Sequence, residues 1–580
     1  MLTPKIQKNN IVFLLLIAVI IGAVTGCLAV GFRYLLTGAV DLLWGNSSNI
    51  IEAAYAMPWY LILVIPVLGG LFVGPIIAFL APETRGAGVP EVIETVIIHE
   101  GVIRYRTTLF KILSTVISIG TGASVGREGP IVHIGASVGS SLAQVIRLTA
   151  EWKRVFLACG AAAGIAATFN APMAGMLFAA EIILVDFQVS YLSHIAISSI
   201  TATVISYHFL GVLPAFHVPH YTLVSYWEIP LYIILGTLAG GVAIAFIRLT
   251  GRIEGCFDRF NIPIYLRPAI GGLAVGLIAL WVPHVLGVGY ESVNLVFTAK
   301  AAFGLMLLIV VFKLLATCFS VGSGLSGGIF APSLVLGSML GGSFGILAHT
   351  LFPDSVAPFP AYALVGMGAV VAGSTLAPIT AIFTIFELTY DFQIILPLMT
   401  SCIASLVIVQ SIQGHSIYEA KLIKKGINLI RGRDITTLRS MRVGDYMEKG
   451  YGSLTESTPL GEIILRFEES DYPHFLIFNE ERELTGMLSV SDLRPIMTEV
   501  KDLCELVVAS EIMTRGVETI GAFDNFERAF NIFEGKQIST LPVVSRNNPK
   551  KVLGILKKSR LLMAYNQKVL KHDTLTSTKG

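Results

Sequence analysis

The sequence predicts an all-α polytopic membrane protein made of two inverted-topology repeats with broken helices, followed by a small α/β domain. Three observations predict this fold class: a strongly apolar composition, an internal repeat, and a change to mixed charged and apolar residues near residue 435. Of 580 residues, 54% are hydrophobic and only 14% charged, and the mean hydropathy is +0.73. A chain this long and this apolar belongs in a lipid bilayer rather than in water. The formal net charge of +2 says little about partners, and no nucleic acid is expected.

The opening segment, Ile11 to Leu36, is apolar for longer than a signal-peptide core and lacks a small-residue cleavage site, so it reads as a retained span. Apolar segments recur up to about Ile412, many of them shorter than the roughly 20 residues of a full span and interrupted by Gly and Pro. Non-helical backbone survives at membrane depth only where protein or a water-filled cavity satisfies its polar groups, so these breaks point to a pathway. The six cysteines are scattered, show no metal-type spacing and read as small core residues.

Lys421, Lys424, Lys425, Arg431, Arg433, Arg439 and Arg442 follow the last apolar segment and place that end in the cytoplasm by the positive-inside bias. The expected division is a membrane domain over residues 1–434, with halves at about 10–210 and 226–420, and a cytosolic domain over 435–580. The compact length, short termini and lack of a targeting segment suggest a prokaryotic plasma membrane.

Within the membrane part, Phe110-Lys111 through Gly139 matches Phe312-Lys313 through Gly341 without a gap. Thr115 pairs with Thr317, Ser118 with Ser320, Ser124 with Ser326, Pro130 with Pro332 and Gly135 with Gly337. At a slightly longer offset, Ala171-Pro172 and Glu181 match Ala377-Pro378 and Glu387. Ordered Gly, Ser and Pro after a shared Phe-Lys start are more than chance similarity between apolar helices. Duplicated halves are typical of transport folds with a site at the midplane.

Three Gly-rich loops run into expected helix starts: Gly86-Ala87-Gly88-Val89-Pro90-Glu91, Gly126-Arg127-Glu128-Gly129-Pro130 and Gly327-Gly328-Ile329-Phe330-Ala331-Pro332. Proline suits the first turn of a helix, and glycine lets the preceding backbone turn tightly and expose its amides. Free N–H groups and the positive end of the helix dipole make an anion site without a full positive charge, weak enough for throughput. A single such break would be read as a helix kink, but three, two of them in symmetric positions, favour a site.

These three motifs, in this order, together with Tyr418 in Gly414-His415-Ser416-Ile417-Tyr418, resemble the CLC chloride channel and transporter family over nearly the whole chain. The resemblance implies that the backbone N–H groups of Ile329 and Phe330 and the hydroxyl of Tyr418 hold a central anion. Ala87, Gly88, Val89, Arg127, Gly129, Gly328 and Ala331 would line the rest of the anion path, with Glu128 as the external gate. An ionised carboxylate there occupies an anion site and swings away on protonation or displacement by chloride. The alternative for Glu128, a structural partner of Arg127, is the weaker reading for a carboxylate between two glycine turns at membrane depth.

Two positions depart from the family pattern. The central-site serine is replaced by Ala87, so one hydroxyl donor to the anion is missing. The intracellular proton acceptor of the exchangers, the second of two consecutive glutamates, is replaced by Ile182 after Glu181. Isoleucine cannot bind a proton, so an exchanger would need another internal route, such as a water chain reaching Glu128. Glu181 and Glu387, kept in both halves, read as structural groups that each need a hydrogen-bonding partner.

Beyond Met441 two similar units appear, at about 440–500 and 506–568. Val443-Gly444-Asp445-Tyr446-Met447 with Leu484 to Ser489 is one, and Ala509-Ser510-Glu511-Ile512-Met513 with Val552 to Lys557 is the other. His474 to Phe478 and Ser539 to Val544 read as their apolar strands. The pair resembles a CBS domain pair, a module that often binds adenosine nucleotides. By that resemblance Ser489 and Asp492 fit a phosphate and ribose site, whereas Lys557 and Arg560 stand at the equivalent positions of the second unit. A dimerising domain without ligand is an equal alternative.

The expectation is therefore a chloride-selective channel gated by Glu128, in a homodimer with one pore per subunit, with chloride as the permeating ion. No catalytic residue, metal or required cofactor is expected. A proton-coupled chloride antiporter is the chief alternative, followed by a membrane-tethered nucleotide sensor with a vestigial pore; a fluoride-specific exchanger fits less well.

Overall fold

The computed structural model describes residues 11–45, 49–99, 101–211, 224–260, 262–425, 441–470, 472–493, 504–536, 538–545 and 548–565. Arg431, Arg433, Arg439 and the expected boundary near residue 435 lie outside the described residues. The chain divides into two compact units, Met1–Lys425 and Gly426–Gly580.

In the first unit the helices run α1 (Ile11–Trp44), α2 (Ile50–Ala56), α3 (Trp59–Pro75), α4 (Val89–Ile97), α5 (Tyr105–Gly120), α6 (Glu128–Val145), α7 (Ala150–Phe169), α8 (Pro172–Phe178) and α9 (Val189–Leu210). The second half follows as α10 (Ile229–Arg259), α11 (Arg267–Trp281), α12 (Tyr290–Phe297), α13 (Phe303–Ser323), α14 (Phe330–Leu351), α15 (Phe359–Thr375), α16 (Pro378–Thr389), α17 (Ile395–Ile412) and α18 (Ile417–Lys424). Seven segments among the described residues are long and apolar enough to cross a membrane. The first of them, Ile11–Trp44, is a single helix and extends the expected span at its C-terminal end. Shorter apolar helices are broken, as expected: α8 gives way to a π-helical turn at Ala179–Leu184, and α15 and α16 are separated only by Leu376 and Ala377.

The two halves repeat each other's packing. α6 lies on α7 as α14 lies on α15, and in both pairs the backbones touch at glycine. A Cβ on Gly135 would sit 2.1 Å from the Gly160 carbonyl oxygen, and one on Gly337 would sit 2.2 Å from that of Gly366. No larger residue fits either position at this separation. Small and branched apolar side chains fill much of the interior of this unit, with Ile131, Ile134, Ala163 and Ala167 in one cluster.

The second unit holds two small sheets. β1 (Gly452–Thr455), β2 (His474–Phe478), β3 (Leu484–Ser489) and β4 (Thr514–Arg515) form one, in that order; β5 (Ile520–Gly521), β6 (Thr540–Ser545) and β7 (Asn548–Lys557) form the other. Each pairs its first two strands in parallel and the next two antiparallel. α19 (Leu460–Glu469), α20 (Val490–Leu493) and α21 (Ala509–Ile512) pack with the first sheet, α22 (Phe526–Lys536) with the second. The strands expected at His474 to Phe478 and Ser539 to Val544 are β2 and β6. Each sheet covers its own core, one around Ile463, Phe475 and Leu488, the other around Phe526, Phe533 and Val543.

Candidate functional site

The two Gly-rich loops that precede α6 and α14 meet directly. Gly126 N–H donates to the Gly328 carbonyl at 2.7 Å, and Gly328 N–H donates to that of Gly126 at 2.6 Å. Around this two-residue bridge the contacts come in symmetric pairs. Thr115 bonds Ser326 at 2.8 Å while Ser124 bonds Thr317 at 3.0 Å. Ser124 N–H donates to Ser320 Oγ at 3.1 Å, and Ser326 N–H donates to Ser118 Oγ at 3.2 Å. Residues matched in the repeat thus bond across the halves, which is the signature of an axis running between them.

Lys111 and Lys313, the matched lysines of the Phe-Lys pairs, are fully buried. Lys111 Nζ donates to the Thr84 and Gly86 carbonyls at 2.9 and 2.8 Å, and Lys313 Nζ to those of Val285 and Gly287 at 2.9 and 2.8 Å. A buried ammonium needs such acceptors, and in return it clamps a Gly-rich turn. The third loop closes on the other two: Gly327 N–H donates to Gly86 O at 3.4 Å, and a Cβ on Gly129 would lie 2.0 Å from Ala87 O.

Glu128 is the first residue of α6 and only 1% exposed. Its Oε1 accepts from the Tyr290 hydroxyl at 2.7 Å, and its Oε2 accepts from the Ala331 N–H at 3.3 Å. Ala331 is the second residue of α14, so the carboxylate lies on the free amides at the positive end of that helix. The Arg127 guanidinium sits 5.4 Å over the Tyr290 ring, a cation–π contact that steadies the tyrosine.

Ala87, Ile329 and Tyr418 line one cavity of about 80 Å³, together with Arg85, Lys421 and Lys424. Tyr418 is 2% exposed. It is held by a capping box at the start of α18, in which Ser416 Oγ accepts from Glu419 N–H at 3.2 Å and the Glu419 carboxylate accepts from Ser416 N–H at 2.7 Å. Gly88 and Val89 begin α4 beside this cavity, and Val89 is buried. The Phe330 ring is buried against Phe169 and Phe178, with centroids 5.6 and 6.4 Å away.

Ile182 is buried in the π-helical turn after α8. Beside it, Glu181 accepts from Ile379 N–H at 3.2 Å and from Thr380 N–H at 2.7 Å. Glu387 does the same for the first half, accepting from Met173 N–H at 2.9 Å and Ala174 N–H at 2.7 Å. Each glutamate therefore caps the helix of the opposite half that its own helix mirrors. In the second unit, Ser489 N–H and Oγ both donate to Asp492 Oδ2, at 2.8 and 2.7 Å. At the equivalent place Lys557 pairs with Glu448 at 2.9 Å.

Three residues of the site, Tyr290, Lys111 and Lys313, escaped the sequence reading. Tyr290 follows Gly287-Val288-Gly289, which mirrors Gly86-Ala87-Gly88, so the repeat itself carried the signal. The Phe-Lys pairs served only to align the halves, although a lysine inside an apolar repeat already demands buried acceptors.

Residues 69–410 match the family model described as voltage gated chloride channel. Residues 443–499 and 508–567 each match the CBS domain model. The chain is 36% identical over 423 residues to a protein of Ralstonia nicotianae named putative chloride channel protein ClcB-like, covering 72% of this chain and 98% of that protein. It is 31% identical over 417 residues to the H(+)/Cl(-) exchange transporter ClcA of Salmonella arizonae, covering 70% and 88%. Among solved structures, a eukaryotic CLC transporter shares the fold at a TM-score of 0.75 and 21% identity, covering 94% of this chain and 97% of that one.

Proposed function

This chain belongs to the voltage gated chloride channel family, an anion-transporting membrane family, and we propose that it exchanges chloride for protons, with Glu128 as the group that alternates between anion path and proton path. One observation carries this reading: the Glu128 carboxylate, almost fully buried, takes the free amide of Ala331 that an anion would otherwise take. A carboxylate there blocks passive flow of chloride until it leaves, and leaving a buried site is easiest after protonation. An opening that follows protonation carries a proton with it. The name of the Salmonella relative, an H(+)/Cl(-) exchange transporter, supports the same reading.

Chloride would pass from the Ala331 amide to a central site formed by the N–H groups of Ile329 and Phe330 and the Tyr418 hydroxyl. Gly88, Val89, Gly129 and Gly328 contribute backbone to this path, and Ala87 offers only a methyl group where a hydroxyl would add a donor. Partial charges suit a transported ion, which must bind and leave. The C-terminal pair we read as cytosolic, with one nucleotide site at Ser489 and Asp492, and the assembly as a homodimer in a plasma membrane with one pathway per subunit.

A second reading, a passive chloride channel gated by Glu128, is favoured by Ile182, whose hydrocarbon side chain cannot relay a proton, and by the name of the Ralstonia relative. Purified protein in chloride-loaded vesicles separates the two. Under exchange, an outward chloride gradient drives protons uphill, and Glu128→Gln abolishes proton movement while chloride still flows. Chloride flux with no proton movement in the unmodified protein would establish the channel instead.

A further inference from the structure

Exchange without a carboxylate at position 182 requires protons to reach Glu128 from the inner side by another route. A second cavity, of about 450 Å³, opens beside α4 and α6 and is lined by Glu83, Glu91, Glu94, His99, Arg104 and His133. Most of these side chains are accounted for by partners or solvent. Lys425 pairs with Glu94 at 2.5 Å, Arg104 lies 3.8 Å from Glu83, and Lys421 bonds one oxygen of Glu91.

Two buried atoms on the cavity wall have no hydrogen-bond partner: Glu91 Oε2 and His133 Nδ1. His133 is 3% exposed and lies on α6, the helix that Glu128 begins. A buried imidazole nitrogen and a buried carboxylate oxygen without partners, on two residues that line one cavity, cost free energy unless water or a proton satisfies them. The charged groups that act on His133 are Lys111 from α5 and Glu91 from α4. Lys111 is fixed on two backbone carbonyls.

We propose that His133, with Glu91 as its counter-charge, is the internal proton-loading site of this chain. The inference rests on the exchange reading. The imidazole accepts a proton from cavity water and releases it toward the Glu128 carboxylate, which carries it outward while chloride moves inward past the vacated amide. His133 stands five positions after Glu128 on the same helix, about 7–8 Å along its axis, and the proposed transfer runs through water between them. The substitution that removed the carboxylate at Ile182 is thereby matched by a titratable group on a different helix.

The test is simultaneous chloride and proton flux in vesicles for the unmodified protein, His133→Gln and Glu91→Gln. Proton flux should fall about tenfold or more in His133→Gln, with chloride flux within about threefold of the unmodified protein. Glu91→Gln should lose proton flux in the same direction, and it serves if His133→Gln does not fold. A folded variant of either kind that keeps the original proton-to-chloride ratio overturns the site while leaving exchange intact. Absence of proton flux in the unmodified protein overturns the exchange reading itself, and this inference with it.

Discussion

The hydroxyl of Tyr290 donates to Glu128 Oε1 at 2.7 Å across the two halves of the membrane unit. Its donor comes from the loop that mirrors Gly86 to Val89, and its acceptor from the start of α6. A hydrogen bond to a charged group contributes about 1.5–3 kcal/mol, and here it favours the carboxylate in its occluding position.

Tyr290→Phe keeps the ring under Arg127 and removes only that donor. Chloride flux at neutral pH is expected to rise about tenfold, since about 1.4 kcal/mol of lost anchoring is a factor of ten in the gate's equilibrium. Radioactive chloride efflux from vesicles measures it; an unchanged or lower flux would show that the hydroxyl does not hold the gate.

Glu181 and Glu387 predict a matched pair of effects. Each accepts two backbone N–H groups at the first turn of a helix in the other half. Replacing either by Gln leaves one acceptor and removes the charge that favours the helix dipole, at a cost of about 1 kcal/mol. Thermal unfolding in detergent should shift downward by a similar amount for both. A shift for only one of them would deny the symmetric role.

Much of this arrangement was legible beforehand because the duplication constrains it twice. The three Gly-rich loops pointed to the helix starts at Val89, Glu128 and Phe330, and the gapless match from Phe110 to Gly139 onto Phe312 to Gly341 set two of them in symmetric positions, with a site expected between the halves. What it could not give was the pairing itself. That Gly126 bonds Gly328, or that each glutamate caps the opposite half, depends on the axis between the halves, which leaves no mark in either half alone. The buried lysines were visible as residue types, yet their acceptors are backbone carbonyls, and those carry no residue-specific signal. That Glu91 and His133 line one cavity was likewise hidden, because α4 and α6 are brought together only by the fold.

Ala87 makes a separate prediction about the central anion. In a cavity of about 80 Å³ shared with Ile329 and Tyr418, Ala87→Ser adds one hydroxyl donor. A neutral hydrogen bond contributes about 0.5–1.5 kcal/mol net, so chloride affinity measured by titration calorimetry should tighten about threefold to tenfold. Unaltered affinity would place the bound chloride away from this loop.

In the second unit, burial lowers the pKa of the His474 imidazole below its ordinary 6.5; the Asp492 carboxylate opposes the shift and Lys557 adds to it. The unfolded chain then binds more protons than the folded one in the interval between the two values. The stability contributed by neutral His474 is present above the ordinary value and lost as pH falls through the folded one. Limited proteolysis of the full chain should cut this unit faster at about pH 5 than at about pH 7.5, and His474→Gln should narrow the difference. Equal pH sensitivity in the variant would assign the effect to other groups.

The central claim is that the Glu128 carboxylate stands in an anion site. Halide density in the structure of Glu128→Gln, with bromide replacing chloride as the anomalous scatterer, tests it most directly. The account predicts bromide within hydrogen-bond distance of the Ala331 N–H, where Oε2 now lies at 3.3 Å. Bromide confined to the cavity at Ala87 and Tyr418, with the Ala331 amide bonded to the new carboxamide or to water, would contradict it.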